Sequence, residues 1–435
     1  MLKFFKKNIV SILTWEAAYV LRKYKPFIIG VTGSVGKTTT KDAIYHVLKD
    51  SIKSRKSQKS FNSELGIPLT ILGLDNAWHN PIFWVWNITK GLLFVILPLP
   101  YPKLLVLEIG ADHPGDIKKV TEWIHPDVVV VTRLPDHPVH VEYFSSPNEV
   151  RKEKAELVRA LKEHGVFIAN VDDPAVVKLK ELTVARMLTY GFGEEAQVRG
   201  GYINIDYEER EGQKQPVGMI FRVDWQGNSV PVRLRGVLGI QPCVSALAAL
   251  AVGLAYGESL LRMSEALGTF QASLGRMHII FGKNGSTIID DSYNSSPVAA
   301  EAALETLKSM EGGRKIAMLG DMLELGEYEE EEHVHIGRIA GKFVDELIVV
   351  GRRAVWIAEA AKKSGLAEKH IHSFATSVEA GKWMETQIQP GDIILVKGSQ
   401  GSGTNLIRME RAVKLLMAHP GDASKLLVRQ ESSWQ

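Results

Sequence analysis

Residues 27–49 read FIIGVTGSVGKTTTKDAIYHVLK. Phe27 to Val31 is a short apolar, β-branched run, the pattern of a buried strand. From Thr39 to Lys49, the residues Ala43, Ile44, Val47 and Leu48 recur at helical spacing. Between them lies a glycine-rich turn ending in Gly36, Lys37 and Thr38. Glycines let a backbone curl until successive N–H groups face one anion. The helix that follows adds the partial positive charge of its N-terminus. Lys37 is placed to reach the β- and γ-phosphates of a nucleotide, and the Thr38 hydroxyl to ligate Mg²⁺. The order strand, loop, helix separates this reading from an ordinary glycine-rich turn with an exposed lysine.

Working outward, residues 104–108 (LLVLE) read as a buried strand ending in a carboxylate. In a doubly wound sheet that end lies beside the phosphate loop, so Glu108 is the candidate acidic partner of Mg²⁺. A strand is expected over 127–132 and a helix over 147–163. Residues 197–238 alternate between glycine turns, as an antiparallel β element does. An Ala/Leu helix follows over 244–257, and a boundary falls near Ser273–Arg276. Strands at 287–290, 315–319, 346–350 and 393–396 then alternate with helical stretches, which implies a second parallel αβ sheet. Residues 409–417 read as a closing helix. The expected class is therefore α/β. A helical segment (1–26) precedes a doubly wound parallel-sheet nucleotide domain with an antiparallel β element (27–273), and a Rossmann-like αβ domain (274–435) follows.

Composition narrows the partners. Of 435 residues, 45% are hydrophobic and 23% charged, as in ordinary globular proteins, and the net charge of +2 gives no argument for a nucleic-acid partner. The single cysteine, Cys243, excludes an internal disulfide and points to a reducing, cytoplasmic compartment. The N-terminus starts basic, but Glu16, Arg22 and Lys23 follow and no small-residue cleavage site does, so it does not read as a signal peptide. Residues 8–22 read as an amphipathic helix packed on the domain behind it. Residues 81–100 (PIFWVWNITKGLLFVILPLP) are the most apolar part. Asn87, Lys90 and Gly91 interrupt them, leaving a run far short of the roughly 18–20 residues that span a bilayer. A buried or surface-docked helix is expected there, with a peripheral membrane contact as the second reading.

The phosphate loop departs from the strict pattern at Val31, which stands where a glycine would lie six residues before Lys37. The form it takes, TGSVGKTT over 32–39, resembles the ATP loop of the Mur ligases and their folate- and cyanophycin-synthesising relatives. Residues 61–70 (FNSELGIPLT) are similar to the NNxxGxPLT segment of the members that add a dipeptide, with Asn62 for the first Asn and Ser63 replacing the second. Residues 108–116 (EIGADHPGD) resemble the family's ExGANHPGE, with Asp112 for Asn and Asp116 for Glu. His140 to Ser146 matches HxExFxS, and EKAEL over 153–157 matches the segment holding the family's modified lysine, here Lys154. DDSYNSSP over 290–297, LGDMLELG over 319–326 and KGS over 397–399 complete the likeness, which covers about residues 27–415.

The resemblance implies ATP-driven amide formation through an acyl phosphate, by a monomer, in peptidoglycan precursor synthesis. It implies a UDP-linked muramoyl peptide and D-alanyl-D-alanine as substrates. It assigns Gly33, Ser34, Val35, Gly36, Lys37, Thr38 and Thr39 to ATP, joined by Arg276, Asp291 and Asn294 from the C-terminal half. Lys37, Glu108, His140 and Lys154 would carry catalysis. One Mg²⁺ would sit on Thr38 and Glu108, and a second on His140 and a carbamoylated Lys154. Asn62, Ser63, Tyr293, Asp321, Glu324 and Lys397 would contact substrate. Without the resemblance, His140 reads as a loop residue and Lys154 as part of a solvated helix face. The sequence departs from the family's GxHNxxNALAA, which appears as GIQPCVSALAA over 239–249. Pro242 and Ser245 stand where asparagines face the adenine, and a proline offers no side-chain hydrogen bond. With 26 residues before the first strand, the family's separate uridine-binding domain is not expected, and weak affinity for the uridine half is. Two other readings stay open: an amide ligase of the folylpolyglutamate or poly-amino-acid kind, and a non-catalytic nucleotide-binding protein.

Overall fold

A computed structural model describes residues 2–58, 61–77, 80–210, 213–401 and 407–431. The chain opens with a long helix, α1 (Leu2–Tyr24), which runs past both ends of the expected 8–22. Strand β1 (Phe27–Thr32) leads through the glycine turn into α2 (Lys37–Leu48). That helix starts at once after Gly36, whose φ of 83° suits glycine and turns the chain sharply enough to expose the loop N–H groups. Residues 54–60 carry no apolar signal, yet Ser54–Lys56 forms an edge strand, β2. Its basic side chains do the anchoring: Arg55 donates to the carbonyls of Thr70 and Ile71 at the end of α3 (Gly66–Leu72), and Lys56 to Asp42.

Helix α4 (Pro81–Ile96) lies on the surface against α1. Two of its interrupting residues, Asn87 and Gly91, face inward, while Lys90 is exposed. Asn87 is buried and donates to the Asp75 carbonyl, and Gly91 packs against the Glu16 side chain. No helix among the described residues is long and apolar enough to cross a membrane. Then follow β3 (Leu104–Glu108), α5 (Asp116–Thr121), β4 (Val128–Val131), α6 (Pro147–Arg159), β5 (Val166–Asn170), α7 (Pro174–Lys178) and β6 (Arg186–Gly191). The long strands β7 (Val198–Arg210), β8 (Gln213–Trp225) and β9 (Asn228–Arg235) are the expected antiparallel element.

These strands form one sheet in the order β2-β3-β1-β4-β5-β6-β7-β8-β9, parallel as far as β7. The order reverses around β1, so the loop after it opens at a topological switch point, where α/β sheets bind ligands. The valines of β4 and the leucines of β3 are buried on both faces, as strands covered by helices on each side must be. Helix α8 (Ile240–Tyr256) packs on α2 and begins four residues before the expected 244. Pro242 lies in its first turn, where the missing N–H costs no helical bond.

The second sheet runs β10-β11-β15-β12-β13-β14. Its strands are β10 (His278–Phe281), β11 (Thr287–Asp291), β12 (Lys315–Gly320), β13 (Glu346–Val350), β14 (Ile371–Phe374) and β15 (Ile393–Lys397). Among the described residues of this sheet, only β10 pairs antiparallel, with β11. The four strands expected here all form. The end of β11 buries a carboxyl. Asp290 is fully buried, its Oδ1 accepts from the Ser292 N–H at 3.1 Å, and its Oδ2 has no hydrogen-bond partner among the described residues. Burial pushes its carboxyl up to about 7 from 3.8, with Asp291 and Glu410 adding to the effect. The fold therefore favours the protonated acid. Its contribution is full below the unfolded value of 3.8 and is lost as pH rises through about 7. Asp290→Asn is expected to raise the free energy of unfolding by about 1–3 kcal/mol at about pH 8 and to change it little at about pH 4, as read by denaturant titration.

Candidate active site

A cavity of about 610 Å³ opens between the two sheets. Of the expected residues, Ser34 to Thr39, Asn62, Glu108, His140, Arg276, Asp291, Tyr293, Asn294, Glu324 and Lys397 line it. Lys37 Nζ donates to the Gly33 carbonyl at 2.9 Å, bending the lysine back over its own loop. Burial lowers its ammonium below the usual lysine range; Glu108 opposes that shift and Arg276 adds to it. The register of β1 with β3 pairs Val31 with Glu108 and so sets the carboxylate beside the loop. Thr38 Oγ1 donates to Glu108 Oε1 at 3.1 Å.

Glu108 Oε2 is buried without a hydrogen bond among the described residues and lies 3.6 Å from Lys41 Nζ. A desolvated carboxylate oxygen beside a threonine hydroxyl is a hard donor set that fits Mg²⁺. No group of three or more His, Cys, Asp or Glu gathers as a metal site among the described residues.

From the turn before β10, Arg276 stacks over Tyr293 at 4.3 Å and reaches Thr38 Oγ1 at 3.4 Å, while its Nε is buried without a hydrogen-bond partner among the described residues. Lys397 Nζ donates to Asp291 Oδ2 at 2.6 Å and to the Asn294 carbonyl at 3.0 Å. His140 Nδ1 lies 2.7 Å from Glu324 Oε2, which holds the Glu324 carboxyl below its ordinary range. Both residues have left-handed backbones, φ 69° and 66°. Such strain in non-glycine residues persists where the surroundings impose it, here at a contact joining the two halves across the cavity.

Lys154 does not lie on a solvated face. It is 2% exposed, on the inner stripe of α6 with Val150, Leu157 and Val158. Burial, and then Lys37, pushes its amine down to about 7. It is not among the cavity-lining residues, nor are Gly33 and Ser63. Asp321 also stands apart, with its carboxylate accepting from the backbone N–H groups of Arg353 and Ala354.

Two family models match the chain: the Mur ligase middle domain over residues 31–83 and 92–252, and the Mur ligase glutamate ligase domain over 275–400. The UDP-N-acetylmuramoyl-tripeptide–D-alanyl-D-alanine ligase of Mycobacterium leprae is 31% identical over 401 residues, covering 86% of this chain and 71% of its own. The chain belongs to the Mur ligase family. The ligase of the same description from Bacillus subtilis is 29% identical over 90% of this chain and 76% of its own. The MurF ligase of Thermotoga maritima, solved with ADP, superposes with a TM-score of 0.73 at 25% identity, over 96% of this chain and 84% of that one. This Mur ligase is an ATP-dependent peptide ligase.

Its site holds groups that the sequence did not reveal. Lys41 is wholly buried and bridges Asp42 at 3.3 Å and Glu108 at 3.6 Å. Glu153 accepts from the backbone N–H groups of Gly115, Ile117 and Lys118, which ties Lys154's helix to the loop carrying Asp112. A smaller cavity of about 250 Å³ adjoins the first behind the phosphate loop, and Asn170, Asp172, Phe192 and Gln241 line it. Their signal is weak, because these residues come from separate strands and one helix start.

Proposed function

We propose that this Mur ligase joins D-alanyl-D-alanine to the carboxylate of a UDP-N-acetylmuramoyl tripeptide at the expense of ATP, in peptidoglycan precursor synthesis, and that it works as a monomer. The observation that carries the reading is the convergence of Lys37, the Thr38–Glu108 pair, Arg276 and the Lys397–Asp291 pair on one cavity between two sheets. In this reading residues 1–26, 27–273 and 274–435 are the three units of the chain.

The substrate carboxylate attacks the γ-phosphorus of ATP, ADP departs, and an acyl phosphate forms. The dipeptide amine then attacks the acyl carbon and inorganic phosphate leaves with the bonding pair. Every oxygen that meets in the first step is negative, so the site must supply positive charge in a setting of low dielectric. Lys37 and Arg276 supply it, from α2 and from the turn before β10. Mg²⁺ bound by Thr38 and Glu108, with a second ion on His140 and a carbamate of Lys154, would neutralise the remaining phosphate charge. Lys41 holds the Glu108 carboxylate in place. Asn62, Tyr293 and Glu324 face the substrate side of the cavity, and contacts such as His140–Glu324 close the two halves over it and exclude water. The nucleotide base takes the smaller cavity, where Gln241 provides an amide near the positions held by Pro242 and Ser245.

Coupled phosphate release tests the reading. Release is expected only when ATP, the UDP-linked tripeptide and D-alanyl-D-alanine are all present. Release with a folate and glutamate in their place, and none with the muramoyl peptide, would move the enzyme to the other branch of amide ligases.

A further inference from the structure

Helices α1 and α4 lie side by side and run the same way. Glu16 meets Gly91, and Lys23 Nζ donates to the carbonyls of Phe94, Val95 and Leu97 at 2.7–3.0 Å, satisfying the orphan acceptors at the end of α4. The inner stripe of α1, including Leu13, Ala17 and Val20, is buried. The outer face of the pair is not. Trp15 and Tyr19 on α1 are 52% and 43% exposed, and Ile82, Phe83, Trp86 and Ile96 on α4 are 79%, 50%, 53% and 65% exposed. Exposed apolar side chains gathered on two adjoining helices in this number mark a binding surface.

We propose that the outer faces of α1 and α4 together seat this protein on an anionic lipid bilayer, with both helices lying in the interface plane. Charge selects that occupant. Among the described residues, the exposed positions of the two helices include no Asp or Glu, while Arg22, Lys23 and Lys90 are exposed on them. The one acidic residue of the two helices, Glu16, is 1% exposed between them. Lys90 lies over the Trp86 ring at 5.1 Å, its stem along the apolar face and its charge free to reach the headgroups. Tryptophan and tyrosine, apolar with one polar tip, favour that depth. A second copy fits less well, because a two-fold contact through this face would set the same cations against each other. The helices lie on the membrane and do not cross it, as neither is long and apolar enough to span.

Flotation of the full chain with vesicles tests this. With phosphatidylglycerol–phosphatidylcholine vesicles the protein is expected to float, and with phosphatidylcholine alone at least about tenfold less. The triple variant Phe83→Ser, Trp86→Ser, Ile96→Ser is expected to lose at least about tenfold of the anionic-vesicle binding. Its circular dichroism and its ATP-dependent phosphate release should match the parent. Arg22→Glu with Lys90→Glu should abolish the preference for anionic lipid. Failure to float with anionic vesicles, equal binding to both vesicle types, or a dimer in light scattering that the serine variant dissolves would each overturn the proposal.

Discussion

Replacing Lys37 by alanine is expected to lower ATP-dependent phosphate release by about 100- to 1000-fold while the fold stays intact. The side chain is part-buried at the first position of α2, and its one hydrogen bond given by the structure goes to the Gly33 carbonyl of the preceding turn. Burial disfavours its charged form, so the fold gains little from keeping the ammonium there. The change in stability should stay within about 1 kcal/mol. On the proposed reading, what disappears is the cation that meets the γ-phosphoryl oxygens. Phosphate release and a thermal melt of the same preparation check both halves. Normal release by a folded Lys37→Ala protein would end the phosphate-loop assignment.

Lys154→Ala is the second large effect, a fall of about 100-fold that short carboxylic acids partly reverse. Lys154 is buried with its amine pushed down to about 7, so near neutral pH a substantial fraction is the uncharged form that adds CO₂. A carbamate exchanges a cation for two hard oxygens suited to Mg²⁺. Acetate or formate diffusing into the space left by the side chain would replace that ligand. Assays with and without the acid, at several Mg²⁺ concentrations, read the outcome. Full activity of the alanine variant without any additive would defeat the carbamate.

Local chemistry was largely legible. The β1 loop and its helix could be read because a strand, glycines and a helix start are consecutive, and a P-loop is a local structure. The strands of the second sheet were legible for a similar reason, since four apolar runs are each bounded by helical stretches. Edge strand β2 was not, because it is held by two basic side chains and not by an apolar pattern. The start of α8 was missed because a proline reads as a break, although the first helical turn tolerates it. Lys154 shows a middle case. Of its neighbours three and four positions away, Val150, Leu157 and Val158 are apolar and Arg151 is not, so the pattern leans inward and packing decides it.

The sequence by itself determined the local elements and the family motifs: a glycine loop between a strand and a helix, an acid at the end of a strand, and motifs in family order. Periodicity and turn chemistry act over a few residues, so they are written in the chain directly. Only the tertiary structure decided which of those residues meet. Arg276 comes within 3.4 Å of Thr38 although 238 positions separate them, and Lys397 reaches Asp291 across 106. Ser63 and Asp321, equally prominent in the motifs, stay off the cavity. Strand order, parallel register and the packing of one sheet against the other set those meetings, and these depend on long-range burial that no short stretch of sequence encodes.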